Sequence, residues 1–488
     1  MNIAFVSSEI TPYASTGGLA DVCGSLPRAL VELGCSVTQF MPMYRRVMEG
    51  AFGIEDTGIR LTIPVGFHRY RADVWKTKNA VPPVYFIRRD EFFDRTELYN
   101  LSDRDYDDNF ERFVFFQKAV TALIDHLKRP FEVVHAHDWQ TGLMPLYLQH
   151  GLQGEGRGGR EKTVFTIHNL AFQGIFNGDE FSYSNLPFSC FSVETLEYYG
   201  NVNCLKSGIT SSDLVTTVSR TYAREIQKEE WGHGLHGVLA NAAPRLRGIV
   251  NGIDHDIWDP SRDKALVARY GIHDLAGKQA CKADLLRRLK LDIAPDEPLF
   301  GMVTRLTNQK GIELVDDVLP WIMEHTRGGL VLLGSGSDEY QEMVRRWTKR
   351  WPGRVVVRFG FDAKLAHRIE AAADIYLMPS KFEPCGLNQL YSLRYGTIPV
   401  VHAVGGLEDT IVDLTESPQG GYGFKFKDFA SIALQGAIQR ALAIYKKPSL
   451  WKSLQIQAMK QDFSWRNAAR QYLTSYHEVL GIKPSTKA

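Results

Sequence analysis

Leu299-Phe-Gly-Met-Val-Thr-Arg-Leu-Thr-Asn-Gln-Lys310 reads as a short buried strand running out into a loop that carries two cations, Arg305 and Lys310. A brief apolar run without polar alternation suits a strand covered on both faces. Similar runs follow at Leu330 to Leu333, Val355 to Phe359, Ile375 to Met378 and Ile398 to Val401, with helical patterns between them. That rhythm predicts parallel strands joined by crossover helices. It also fills the first half of the chain, with strands near Ile3 to Val6, Val84 to Ile87, Val133 to His135, Val164 to Ile167 and Leu214 to Val218, and it restarts after the Asn251-Gly252 turn. After the first strand, Leu19, Val22, Leu26, Ala29, Leu30 and Leu33 mark a helix that Gly34 closes and Pro27 bends.

The expected fold class is therefore α/β, with two Rossmann-like doubly wound domains over residues 1–248 and 249–460. A helical tail over 461–488 is expected to return to the first domain, with frayed residues from Pro484 to Ala488, and Gln153 to Lys162 is expected as an exposed loop. Ligands of such sheets bind beyond the carboxyl ends of the strands, so an interdomain cleft is the expected site. The length of 488 residues exceeds what one core usually fills. With 57 basic and 56 acidic side chains, and no basic stripe, neither nucleic acid nor a membrane surface is an expected partner. The six cysteines form no C-x-x-C pair and no dense framework, and the start lacks an export signal, so a cytoplasmic protein with reduced thiols is expected.

Ser15-Thr-Gly-Gly-Leu-Ala-Asp21 lies between the first strand and its helix. Gly17 and Gly18 let a ligand approach the backbone at a helix N-terminus, or simply permit a tight turn. His135-Ala-His-Asp-Trp139 and Thr166-Ile-His-Asn169 end two strands of the same domain. Alternation along the strand is expected to leave one of His135 and His137 in the core, while Asp138 and His168 form a polar pair suited to a hydroxyl-rich substrate. Arg305 and Lys310, with Gly311, fit a phosphate; Glu383, in Lys381-Phe-Glu-Pro-Cys-Gly-Leu387, stands in a shaped turn beside a Gly-started helix. Each could also be an ordinary loop charge. Fixed cations, an amide nest and a carboxylate together suit a reaction that releases a diphosphate from a sugar. Asp103-Arg-Asp105 and Asp254-His-Asp256 are short enough to be turn residues, Gly334-Ser-Gly336 lacks the third glycine of a dinucleotide fingerprint, and the histidine cluster has no metal spacing.

These stretches, taken in order with Thr16 to Val22, Phe165 to Gly174 and Asn251 to Asp254, resemble the bacterial glycogen synthases, members of the starch synthase family of retaining glucosyltransferases with the GT-B fold. The resemblance runs from Met1 to about Leu480. It implies transfer of glucose from ADP-glucose to the non-reducing end of an α-1,4-glucan such as glycogen, with no cofactor and no required metal. Catalytic roles would fall to Asp138, His168, Arg305, Lys310 and Glu383. Ser15, Gly17, Gly18, Asn251, Phe361, Cys385, Gly386, Leu387 and Asn388 would bind the donor, and Glu9, Asp21, Trp139 and Asn169 would line the sugar pocket. Three positions depart from the family pattern: Ser15 stands where a lysine is common, Phe361 where a tyrosine stacks on the base, and Asn388 where a threonine sits near the phosphates.

Overall fold

A computed structural model describes residues 1–101, 104–157 and 161–482 of the chain. The chain forms two compact units, one of Met1–Gly252 with Trp465–Ala488, the other of Ile253–Ser464. The crossings therefore lie a few residues beyond positions 248 and 460. Asp103, the stretch 158–160 of the glycine-rich loop and the final residues 484–488 fall outside the described residues.

The first unit is built on a nine-stranded sheet with spatial order 246–248, 214–217, 162–167, 133–137, 2–6, 36–42, 84–88, 68–77 and 54–65. Its first seven strands in that order are parallel, and Ile54–Val65 and His68–Thr77 add an antiparallel hairpin at one edge. The expected strands are present; Ser36–Pro42, Leu246–Gly248 and the hairpin were not foreseen. The chain leaves Asn2–Val6 in one direction to pair with Ser36–Pro42 and later returns to pair its other side with Val133–His137. The topology thus switches direction at the carboxyl ends of Asn2–Val6 and Val133–His137, which is where a doubly wound sheet opens for a ligand.

The helix Gly18–Glu32 follows the first strand, contains Pro27 in its buried face and ends at Gly34, whose φ of +87° is the left-handed conformation that glycine adopts cheaply. Against it packs the last helix, Trp465–Val479, which buries Trp465, Ala468, Ala469, Tyr472 and Tyr476 on one stripe. Burial of such side chains contributes about 1.5–3 kcal/mol apiece for the larger ones. Both the helical tail and the sheet it covers thus share one core.

The second unit has a six-stranded parallel sheet with spatial order 355–359, 329–334, 299–303, 375–378, 398–402 and 424–426. All residues of Leu330–Leu333 are 3% exposed or less, which is why that strand reads as unbroken apolar sequence. Here the direction switches between Leu299–Val303 and Ile375–Met378, so the segments after those strands, 304–310 and 379–387, meet the ligand-binding edge. The glycines of Gly334-Ser-Gly336 serve packing: a Cβ at Gly334 would lie 1.9 Å from the Thr304 carbonyl oxygen, and one at Gly336 1.9 Å from that of Leu306. Asp254 Oδ1 accepts the Asp256 N–H at 2.7 Å, which closes a turn. All six cysteines are free and buried, and no helix among the described residues is long and apolar enough to cross a membrane.

Candidate active site

In the first unit, the switch point carries the turn Ile10 to Gly18 and the strand end at Asp138. Glu9 is 2% exposed; its Oε1 accepts from Thr16 Oγ1 at 2.7 Å and from Tyr99 OH at 2.7 Å, and its Oε2 accepts the Thr16 backbone N–H. Burial raises its carboxyl and those hydrogen bonds pull it back. Both oxygens accept hydrogen bonds, so Glu9 fixes the glycine turn. Ser15, Thr16, Gly17 and Gly18 are exposed, and the Ser15 carbonyl accepts from Arg46 Nη1 at 3.3 Å. Asp21, in the first turn of the helix, accepts from Thr11 Oγ1 at 3.3 Å, and burial lifts its carboxyl to about 6.

Asp138 has φ +56° and ψ −178°, a conformation that costs a non-glycine residue about 1–3 kcal/mol and concentrates at functional sites. Its Oδ1 accepts the His168 backbone N–H at 2.7 Å, so the two strand ends are tied together. Burial pushes the Asp138 carboxyl up to about 7, with the Glu9 carboxylate adding to the rise and the amides of His168 and Asn169 opposing it. His168 is 9% exposed, and burial holds its imidazole down at about 3, uncharged at neutral pH. Asn169 Oδ1 accepts the Ala171 N–H at 3.0 Å in a turn just past the strand. Asn251 is buried, and its Oδ1 has no hydrogen-bond partner among the described residues.

One expectation changes. His135 and His137 are both 0% exposed, with ring centroids 4.1 Å apart, because residues i and i+2 of a strand share a face. Trp139 packs over Gly174, where a Cβ would meet the indole at 2.5 Å, and against Phe113 at 5.1 Å and Phe176 at 5.5 Å. Its packing partners are an aromatic cluster, and the residue stays partly exposed.

In the second unit, Lys310 Nζ and Glu383 Oε2 form an ion pair at 2.6 Å, with side chains 13% and 8% exposed. Ser380 Oγ donates to the same Glu383 oxygen at 2.9 Å. Gln309 Nε2 reaches the Phe382 carbonyl at 3.1 Å and its own carbonyl accepts the Lys381 N–H at 2.8 Å, fastening the cation loop to the carboxylate turn. Arg305 is exposed, and its Nη2 makes a 3.4 Å contact to Gln309 Oε1. Gly311 has φ +63°, and a Cβ there would meet the Pro379 carbonyl oxygen at 2.1 Å, so only glycine lets the two loops touch.

The helix begins at Asn388, capped by Leu387, and Gly386 precedes it with φ +72°. Glycine therefore sets the turn before the helix and does not start it. Gln389 Nε2 bonds the carbonyls of Cys385 and Gly386, each at 3.0 Å, and Gly405 and Gly406 press against the Glu383 and Cys385 carbonyl oxygens, at Cβ distances of 1.9 and 2.0 Å. Asn388 Nδ2 donates to the Val303 carbonyl and to Tyr376 OH, each at 2.6 Å. Both protons of its side-chain amide are therefore engaged by the neighbouring strands. Phe361 follows the strand Val355–Phe359 and is 93% exposed, an open ring face. Thr16, Tyr99, Gln389 and the Gly405-Gly406 pair were missed by the sequence: Tyr99 and the glycine pair act on partners distant along the chain, and Thr16 and Gln389 on nearby turns whose shape spacing does not reveal.

Residues 2–241 match the starch synthase catalytic domain, and residues 287–453 match glycosyl transferases group 1. The glycogen synthase 2 of Geobacter sulfurreducens is 42% identical over 476 residues, 98% of each chain. The chain belongs to the starch and glycogen synthase family. A solved member, the catalytic domain of starch synthase IV from Arabidopsis thaliana bound to ADP and acarbose, has a TM-score of 0.89 and 31% identity over 98% of this chain and 99% of that one. A sucrose-phosphate synthase from Thermosynechococcus elongatus, 19% identical over 99% and 100% of the two chains, shares the fold with a TM-score of 0.61. The family fold is GT-B, two α/β units with parallel sheets, and the chain is a glycosyltransferase, as the sequence resemblance implied.

Proposed function

We propose that the chain is a glycogen synthase, moving glucose from ADP-glucose to the non-reducing end of an α-1,4-glucan with retention at the anomeric carbon. The observation that carries this reading is the Lys310–Glu383 pair at the switch point of the second sheet, in a family where a solved relative is bound to ADP. Arriving diphosphate oxygens would draw Lys310 away from Glu383 and bring in exposed Arg305. Glu383, released, would stand free to stabilise positive charge as the glucosyl bond loosens. Asp138 and His168 would hold sugar hydroxyls, with Asn169 and Asn251 beside them. The leaving diphosphate would take the acceptor's proton on the same face, the protein supplying position and charge. Arg305 and Lys310 supply the cations, so the route uses no metal, and the free cysteines fit a reducing cytoplasm.

Labelled ADP-glucose and glycogen, incubated with the protein in EDTA, test the reaction; incorporation is expected, and its absence from folded protein rejects the proposal. Running UDP-glucose alongside decides the donor, with a higher kcat/KM for ADP-glucose expected.

Asp138 gives the reaction a pH dependence. With its carboxyl raised to about 7, kcat/KM should climb through about that pH as the carboxylate forms, and Asp138→Asn should lower activity and flatten the climb. Stability runs the other way. A carboxyl raised in the fold from 3.8 favours the folded state most below that value and loses the contribution as pH rises to about 7. Asp138→Asn should therefore gain melting temperature relative to the parent at pH ~8 more than at pH ~5. A flat parental profile would remove Asp138 from the donor contacts.

Phe361 is the stacking surface proposed for the base. Because its ring is 93% exposed, Phe361→Ala should leave the melting temperature unchanged while raising KM for the donor about fivefold to tenfold, on the scale of one aromatic contact. An unchanged KM would assign the ring no part in binding.

A further inference from the structure

His137 lies one residue before Asp138, is 0% exposed, and has so far no role. Its Nδ1 is 3.0 Å from His168 Nε2, and its Nε2 is buried without a hydrogen-bond partner among the described residues. The rings of Phe5, at 4.3 Å between centroids, and His135, at 4.1 Å, cover it. His135 is otherwise engaged, with Nδ1 on Tyr476 OH at 2.7 Å and Nε2 on Thr166 Oγ1 at 2.6 Å. Burial keeps His137 and His168 neutral, so one proton lies between the two facing nitrogens and each ring carries one N–H.

Two arrangements satisfy the 3.0 Å bond. If His168 donates, His137 must carry its own proton on Nε2, a buried N–H with no acceptor. If His137 donates, its Nε2 is a bare lone pair, and orphaned N–H groups are the rarer of the two in folded proteins. We propose that His137 is a positioning residue whose Nδ1–H donates to His168 Nε2, which fixes the proton of His168 on Nδ1 and makes that nitrogen a donor to a hydroxyl oxygen of the sugar. The part concerning the sugar rests on the function proposed above; the direction of the hydrogen bond does not. A neutral imidazole can donate or accept at its free nitrogen, and the neighbour behind it decides which.

Nitrogen-15 spectra of the full chain, labelled at histidine and recorded without ligand, test the bond directly, with the His168 signals assigned by their loss in His168→Gln. The expected spectrum has His168 protonated on Nδ1 and bare on Nε2; the reverse overturns the proposal. Two variants then separate positioning from packing. His137→Leu removes the donor and should move the His168 proton to Nε2, with kcat about tenfold lower, the scale of one misdirected hydrogen bond, and inhibition by ADP unchanged. His137→Asn places an amide N–H near the position of Nδ1 and should keep the parental His168 signals and most of the turnover. Equal losses in both variants with parental His168 signals in each would make His137 a packing residue only. A parent protein without glucosyl transfer would reject the function, while its spectrum would still decide the His137–His168 bond.

Discussion

Glu383→Gln is expected to lower kcat by about 10²–10³-fold, the effect of losing one preorganised charge at a developing transition state. The substitution keeps the shape of the turn and its acceptor for Ser380 Oγ, so the loss should exceed any change in donor KM. Lys310 complicates the companion experiment, because the pair is largely enclosed, with 13% and 8% of the side chains exposed. Among the described residues, Lys310→Met leaves a carboxylate hydrogen-bonded by the Ser380 hydroxyl alone, which should cost about 3–5 kcal/mol of stability as well as turnover. Removing both charges, in Lys310→Met with Glu383→Gln, should recover most of the stability and none of the turnover. Steady-state kinetics and urea unfolding of the four proteins measure the two effects separately. Near-parental kcat in Glu383→Gln would reduce the pair to a structural ion pair.

Ser15→Lys should raise kcat/KM for the donor by about tenfold to a hundredfold, the gain of one charge-assisted hydrogen bond of about 1.5–3 kcal/mol to a phosphate oxygen. The position is exposed and its backbone is already fixed by the Thr16–Glu9 bonds, so the new side chain has room and the turn need not change. Stability should stay within about 0.5 kcal/mol, as for other surface substitutions. If kcat/KM does not rise, the glycine turn of this chain does not face the diphosphate.

Strands buried on both faces were legible because they are apolar throughout, as Leu299–Val303 and Leu330 to Leu333 show. The hairpin Ile54–Val65 and His68–Thr77 was not: it covers a sheet edge, and its Glu55, Asp56, Arg60, Arg69, Arg71 and Asp73 interrupt the apolar pattern. Ser36–Pro42 was hidden by Thr38 and Gln39, polar residues buried in a central strand, where Gln39 Nε2 bonds the Cys23 carbonyl at 2.6 Å. At the candidate site, charge type and strand-end position were visible for Asp138, His168, Arg305, Lys310 and Glu383. Direction was not. Glu9 is held by Tyr99, 90 residues later, and Asn388 by Tyr376 and the end of another strand. Such partners are set by tertiary packing, to which spacing along the chain gives no access.

The helix Trp465–Val479 belongs to the first unit and holds His135 through Tyr476 OH at 2.7 Å. A ribosome delivers residues in order, so the portion made earliest must wait, with the surface of Gly18–Glu32 and His135 that this helix covers still open, until residues 465–479 have emerged. The later unit, Ile253–Ser464, is continuous and can close while that wait lasts. Premature termination just ahead of Trp465 would therefore damage the beginning of the protein, not its end.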